Sequence, residues 1–161
     1  MESVEAMERV ITRIVQPLLS QLLNGAAMIY HSIRFQLKQG VQPDQVERVL
    51  EQLRKMGREI EPVESYCVGR DIGGDFDFGA TFVLKDIEGY KTYMHSPIHR
   101  KVDEIGLPLV ENMVSYDITD DKEASIADQI AQIHKERFEG DKDLANLVGG
   151  LKSYSGSSRP G

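Results

Sequence analysis

The stretch Tyr93–His99 holds two histidines and one tyrosine whose types and spacing suit acid–base chemistry. A histidine with an ordinary pKa of about 6.5 can remove a proton from the carbon next to a carbonyl group. A phenol hydroxyl can donate a hydrogen bond to the enolate oxygen that then forms. His99 as base and Tyr93 as donor would therefore fit proton abstraction, aldol closure or isomerisation in a dry pocket.

The local sequence predicts a helix break between these two side chains. Ser96 is a favoured N-cap residue, and Pro97 fits the first helical position, where its missing N–H costs nothing. Tyr93 and His99 are then aimed from two adjoining helices, so that both can face one cavity. The same pattern permits plainer roles: His99 as a helix-start histidine bonded to the backbone, and Tyr93 as a half-buried helix tyrosine.

His31 is the third candidate. The predicted strand 28–37 alternates with period two, which puts His31 on the same apolar face as Ile33 and Phe35. A buried imidazole needs hydrogen-bond partners. His31 is therefore expected either to line a pocket or to close a structural hydrogen bond.

No cofactor or metal site is predicted. His95 and His99 have the four-residue spacing of a helical metal site, but Pro97 breaks the helix between them. Segment 71–77 holds three acids without the spacing of a calcium loop. The chain has no phosphate-loop, dinucleotide or Ser–His–Asp motif. A haem or flavin oxidase remains a third possibility, and such a protein would be coloured when purified.

Composition narrows the class of protein. The 161 residues carry a formal net charge of −7 and no basic stripe, so nucleic acid is not an expected partner. No apolar run reaches the roughly 18–20 residues of a membrane span, and the acidic start lacks the features of a secretory signal. The single cysteine, Cys67, fits a reducing cytoplasm and is predicted to be a small buried hydrophobe.

The hydrophobic pattern predicts an α+β domain. Strand, helix, strand, strand, helix pair and strand follow one another between residues 28 and 118, the order of the ferredoxin-like fold. This order gives an antiparallel four-stranded sheet with its helices on one face. The predicted strands are 28–37, 62–71, 76–84 and 110–118, and the predicted helices are 43–57, 86–95 and 97–105.

Two further segments flank this domain. Residues 1–27 are predicted to hold an amphipathic helix over 2–24. Residues 121–161 are predicted to hold helices over 123–139 and 141–151, followed by a disordered Ser-Gly-rich tail from residue 155. The central domain is assigned to residues 28–120.

The sheet face opposite the helices is expected to be apolar and uncovered. Such a face has to be buried against something, and pairing with a second copy across a two-fold axis is the economical solution. The sequence thus predicts a homodimer, built as a dimeric α/β barrel.

Four segments resemble the stress-responsive A/B barrel domain family, also called Dabb, over about residues 28–120. They are Tyr30–Phe35, Val63–Asp71, Tyr93–His99 and Leu109–Asp117. The family's His–x–x–Pro–x–His pattern is kept at Pro97 and His99, while its first histidine is displaced to His95. The family contains stress-induced proteins as well as enzymes.

The plant olivetolic acid cyclases of this family close a linear polyketide by an aldol condensation without a cofactor. Resemblance to them implies that Tyr93 and His99 are catalytic and that His31 lines the cavity. Leu53 stands where they have a second pocket tyrosine, and Asp103 stands where they have glycine, which predicts a more acidic pocket. The implied substrate-binding positions are Ile33, Phe35, Leu53, Ala80, Met94, Val102, Asp103 and Met113.

Two functional hypotheses follow. The first is a cofactor-independent cyclase, lyase or isomerase acting on a hydrophobic carbonyl compound such as a polyketide or aromatic intermediate. In it His99 is the base, and Tyr93 and His31 orient the substrate as further catalytic residues. The second is a non-catalytic dimer that is stress-responsive or carries a small ligand. A pocket of about 300 Å³ or more at the three candidate residues would favour the enzyme.

Overall fold

A computed structural model describes residues 27–157 of the chain. The helix predicted over residues 2–24 lies outside this range. No helix among the described residues is long and apolar enough to cross a membrane.

The secondary structure follows the predicted order through residue 119, with boundaries that shift by one or two residues. The strands are β1 (Ile29–Leu37), β2 (Val63–Arg70), β3 (Phe78–Leu84), β4 (Val110–Thr119) and β5 (Ser153–Gly156), and the helices are α1 (Pro43–Glu59), α2 (Ile87–Met94), α3 (Pro97–Gly106), α4 (Ile126–Gly140) and α5 (Lys142–Gly149). A short 3₁₀ turn, Leu107–Leu109, joins α3 to β4.

The sheet has five strands in the order β2-β3-β1-β4-β5. The first four pair in antiparallel fashion and have the predicted ferredoxin-like connections, with the helices on one face. The fifth strand, which the sequence did not predict, pairs parallel to β4 and makes the sheet mixed.

The predicted tail disorder from residue 155 is wrong for the first residues of the tail, because Ser155 and Gly156 belong to β5. Gly156 has a φ of +121°, and a Cβ atom there would lie 1.5 Å from the carbonyl oxygen of Ser115. Only glycine permits this close pairing of β5 with β4.

Helix α1 begins at Pro43 and buries one stripe of side chains, Val49, Leu50, Leu53 and Met56, against the sheet. The predicted end at Gly57 is wrong, because α1 continues to Glu59. Gly57 instead makes room for the ring of Tyr66, which would lie 2.2 Å from a Cβ atom at that position.

Strand register decides which side chains face the helices. In β1 the odd positions, including His31, Ile33 and Phe35, share one face as predicted, and this face points to the helices. Cys67 in β2 lies on the opposite side and is exposed, so its predicted burial is wrong.

The helix-free face is mixed in character rather than apolar. The hydroxyl groups of Ser32 and Thr81 form a 2.9 Å hydrogen bond on it. The large side chains of Tyr30, Tyr116 and Ile118 are exposed there, Ile118 by 62%.

Candidate active site

The segment between α2 and α3 places two of the predicted site residues. The predicted break is present: α2 ends at Met94, one residue before the predicted end, and Ser96 caps α3, its side chain accepting a hydrogen bond from the Ile98 N–H at 3.2 Å. Tyr93 therefore lies in the last turn of α2 and His99 in the first turn of α3. Their rings lie 4.8 Å apart between centroids, so the break does bring the two side chains together.

His31 approaches the same point from the sheet. It is 97% buried on the helix side of β1, and its ring centroid lies 5.7 Å from that of Tyr93. The Nδ1 atom of His31 lies 2.7 Å from Oδ1 of Asp117, which is its register partner in β4. His31 therefore has both of the expected positions at once: it lines a pocket, and it makes a buried hydrogen bond.

These three side chains lie in the wall of one pocket, between the sheet and the helices of a single chain, with a volume of about 70 Å³. Among the implied substrate-binding positions, Ala80 is buried but does not line the pocket. The other implied positions line it: Ile33, Phe35, Leu53, Met94, Val102, Asp103 and Met113.

Burial sets the protonation of Tyr93 and His99. It lowers the pKa of His99 well below the ordinary value, and the positive charge of Arg137 lowers it further. His99 is therefore neutral at pH 7, with Nδ1 donating a 3.3 Å hydrogen bond to the Tyr93 carbonyl oxygen. Burial also raises the pKa of Tyr93 well above its usual range, so its hydroxyl stays protonated and able to donate.

Asp103 does not make the pocket acidic, contrary to the expectation from its replacement of a glycine. Its carboxylate forms a salt bridge with Arg137 of α4, and both side chains are nearly buried. Burial raises the pKa of Asp103, and the guanidinium opposes that rise. The distance from Asp103 Oδ1 to His99 Nε2 is 4.0 Å, so the ion pair lies directly beside the candidate base.

A polar network behind His31 was missed by sequence reasoning. The Tyr90 hydroxyl lies 3.1 Å from Oδ2 of Asp117 and 2.7 Å from Nε2 of His134, and the Ser157 hydroxyl also donates to Asp117. Burial lowers the pKa of His134 to about 3, so this histidine is neutral. Burial raises the pKa of Asp117, but hydrogen bonds and His31 bring it below its usual value.

A sequence signal for part of this network exists in α4. His134 and Arg137 fall within the apolar stripe of Ile130, Ile133 and Phe138, at positions that face the protein interior. A histidine and an arginine on a buried face need partners there. The partners themselves, Tyr90 and Asp103, are set by the tertiary structure alone.

Four side chains from beyond residue 120 complete the pocket wall. They are Arg137, Phe138, Val148 and Tyr154. Among the described residues, no group of three His, Cys, Asp or Glu side chains is placed to hold a metal ion.

The family can now be assigned by comparison. The profile of the Stress Responsive A/B Barrel Domain, Dabb, matches residues 29–120. The chain belongs to this family. The resemblance seen in the sequence is thus confirmed, and the C-terminal segment that completes the pocket lies beyond the family's domain. No match to a curated protein was found.

Solved structures of this family and fold match more than half of the chain. A dimeric ferredoxin-like protein of unknown function from Thermobifida fusca is 30% identical, with a TM-score of 0.53, covering 58% of this chain and 91% of its own. A Dabb family protein with a ferredoxin-like fold from Mesorhizobium loti is 26% identical, with a TM-score of 0.52, covering 57% of this chain and 95% of its own.

A hydroxynitrile lyase from Passiflora edulis has the same fold. It is 11% identical, with a TM-score of 0.55, covering 61% of this chain and 97% of its own. At that identity the likeness concerns the fold alone. The ferredoxin-like architecture predicted from the sequence is confirmed.

Proposed function

We propose that this protein is a cofactor-independent enzyme that removes a proton from the carbon next to a carbonyl group, as a cyclase, lyase or isomerase does. The observation that carries the proposal is that His31, which lines a pocket together with Tyr93 and His99, is paired with the buried carboxylate of Asp117. A histidine held by a carboxylate is a common arrangement for a general base.

His31 is the better base of the two histidines. Because an ionised Asp117 only accepts hydrogen bonds, Nδ1 of His31 is the donor in this bond, and Nε2 is the nitrogen left to accept a proton. When Nε2 takes a proton, the carboxylate stabilises the resulting imidazolium. The carboxylate beside His99, Asp103, lies 4.0 Å from its Nε2 and is paired with Arg137. Its lowered pKa makes His99 a weak base, so the geometry favours His31 for the role that the sequence assigned to His99.

The step balances within the pocket. The α-proton of the substrate passes to Nε2 of His31, and the electron pair of the broken C–H bond moves to form an enolate. The Tyr93 hydroxyl donates a hydrogen bond to the enolate oxygen, which a phenol with a raised pKa does without losing its proton. His99 positions Tyr93 through ring contact and its bond to the Tyr93 carbonyl oxygen.

Deuterium exchange tests this step without knowledge of the downstream reaction. Acetone is incubated with the protein in D₂O, and loss of the methyl proton signal is followed by NMR. We expect the protein to accelerate exchange and Asp117→Asn to slow it by about 10²-fold or more, in line with the usual contribution of a general base. The exposed His95, bonded to the Lys91 carbonyl, supplies the control His95→Gln, which should leave exchange unchanged.

One observation favours the alternative, a non-catalytic dimer that binds a small ligand. The pocket volume of about 70 Å³ is well below the roughly 300 Å³ of a typical ligand pocket. If acetone binds in the pocket but its protons exchange no faster than in buffer, the protein is a binder. Catalysed exchange that requires Asp117 excludes that reading.

We also propose that the protein is a homodimer through the helix-free sheet face. Tyr30 and Ile118 are register partners on that face and are both exposed. The Thermobifida fusca relative is described as dimeric.

Ile118→Lys should lower the molar mass measured by light scattering from that of two chains to that of one chain. Ile72→Lys is the matched control, because Ile72 is 83% exposed in the loop between β2 and β3. A monomeric wild-type protein contradicts the proposal.

A further inference from the structure

The pocket is finished by side chains that the family domain does not supply. The family match ends at residue 120, and the compared relatives cover 57–61% of this chain. Phe138 of α4 and Val148 of α5 nevertheless line the pocket. With Leu107 and Leu144 they form a buried apolar cluster of their own. The C-terminal segment is therefore a fixed part of the pocket wall, not a loose appendage.

This wall limits the size of an occupant. A cavity of about 150 Å³ holds one benzene molecule, of six non-hydrogen atoms. The pocket here, at about 70 Å³, has about half that volume. Forcing a larger group into a packed wall moves side chains off their rotamers, which is unfavourable.

The charges in the wall favour a neutral occupant. The two charged side chains of the wall, Arg137 and Asp103, form a salt bridge with each other. Asp117, behind His31, already accepts hydrogen bonds from His31, Tyr90 and Ser157. His99 is neutral. An anionic ligand would add an unpaired charge to this buried site, which is costly.

We infer that the C-terminal segment acts as a size filter, through Phe138 and Val148, and restricts this pocket to neutral carbonyl compounds of about three to four non-hydrogen atoms. This inference rests on the proposed function and narrows its substrate class. It replaces the polyketide or aromatic substrate expected from the sequence with a small aldehyde or ketone.

Methionine methyl groups report binding directly. The chain has six methionines, of which Met56, Met94 and Met113 line the pocket, while Met28 lies outside it. The full-length protein carrying ¹³C-methyl methionine is titrated with acetone, butanone and cyclohexanone, and with acetate as the anionic probe. Shifts confined to the three pocket methyl groups identify binding at this site.

We expect acetone to bind the wild-type protein at least about tenfold more tightly than cyclohexanone does, the usual range for a pocket that rejects extra methylenes. Acetate should not shift the pocket methyl groups. Phe138→Leu should reduce the discrimination between the two ketones by about fivefold or more, because it removes a ring from the wall. Val148→Ala is a second, smaller enlargement with the same expected direction, should Phe138→Leu fold poorly.

Lys135→Ala is the matched control. Lys135 lies in α4 with its side chain 64% exposed, so the variant should keep the wild-type preference. Equal binding of acetone and cyclohexanone by the wild-type protein overturns the size filter while leaving the pocket and its proposed chemistry standing. Binding by Phe138→Leu alone also overturns it, because the segment would then be a plug. If neither protein binds any ketone, the proposed function fails as well.

Discussion

The Nδ1 atom of His31 lies 2.7 Å from the Oδ1 atom of Asp117, across the pairing of the first and fourth strands. Both side chains are 96% buried. The hydrogen bond is therefore shielded from water, and no solvent molecule replaces either partner. The other Asp117 oxygen accepts from Tyr90 and Ser157. The carboxylate thus fixes one tautomer of one histidine.

This tautomer can be measured directly. The ¹⁵N spectrum of the imidazole groups at pH 7 should show His31 protonated on Nδ1. In Asp117→Asn, the amide group presents a donor toward Nδ1, and the Nε2-protonated form should gain population. Signals are assigned by single histidine substitutions. A wild-type His31 protonated on Nε2 would contradict the arrangement on which the proposed base depends.

Acid should destabilise the fold through its buried histidines. Below about pH 6.5 the unfolded chain protonates His99 and His134. The folded protein does not do so until much lower pH, about 3 for His134. The unfolded state therefore binds more protons, and the free energy of unfolding falls as the pH falls, by up to about 1.4 kcal/mol per pH unit for each histidine.

Urea unfolding between pH 6 and 4.5 checks this slope. His134→Gln keeps a side chain able to donate to Tyr90 and should remove about half of the slope. Thr92→Ala, at an exposed position without a titratable group, should leave it unchanged. Stability independent of pH over this range would show that the two histidines are not held neutral.

The Asp103–Arg137 pair should be strongly coupled. Arg137→Gln leaves a buried carboxylate without its cation, and the expected loss is about 3–5 kcal/mol of unfolding free energy. The double variant Asp103→Asn, Arg137→Gln carries no net charge change and should recover much of that loss. Additive effects of the two single changes in a urea-unfolding cycle would show that the pair contributes nothing specific.

Gly156 should be required for the fifth strand. Gly156→Ala places a Cβ atom against the Ser115 carbonyl at a φ of +121°. We expect a loss of about 1–3 kcal/mol of unfolding free energy, typical of such backbone strain. Hydrogen exchange of the β5 amides should quicken at the same time. Gly149→Ala is the control, since nothing lies within 4 Å of its added methyl group.

Local sequence determined most of the fold. Alternation with period two placed His31 on one face of β1 with Ile33 and Phe35, and the Ser96-Pro97 signal placed the break that brings Tyr93 to His99. These features depend on residues close together in the chain. Their backbone preferences do not require any tertiary contact. The resemblance to the family added the wall positions, which the structure places in one pocket with the exception of Ala80.

Tertiary structure alone decided the partners of these residues. Asp117 faces His31 because of strand register, and Arg137 reaches Asp103 because α4 folds back over the pocket, across 34 residues of sequence. Contacts between distant residues leave no local pattern, since their energy depends on the relative placement of whole elements. Residue types and local patterns indicate which side chains can act as acid or base. Strand register and helix packing set which carboxylate holds which base, and how small the pocket around them is.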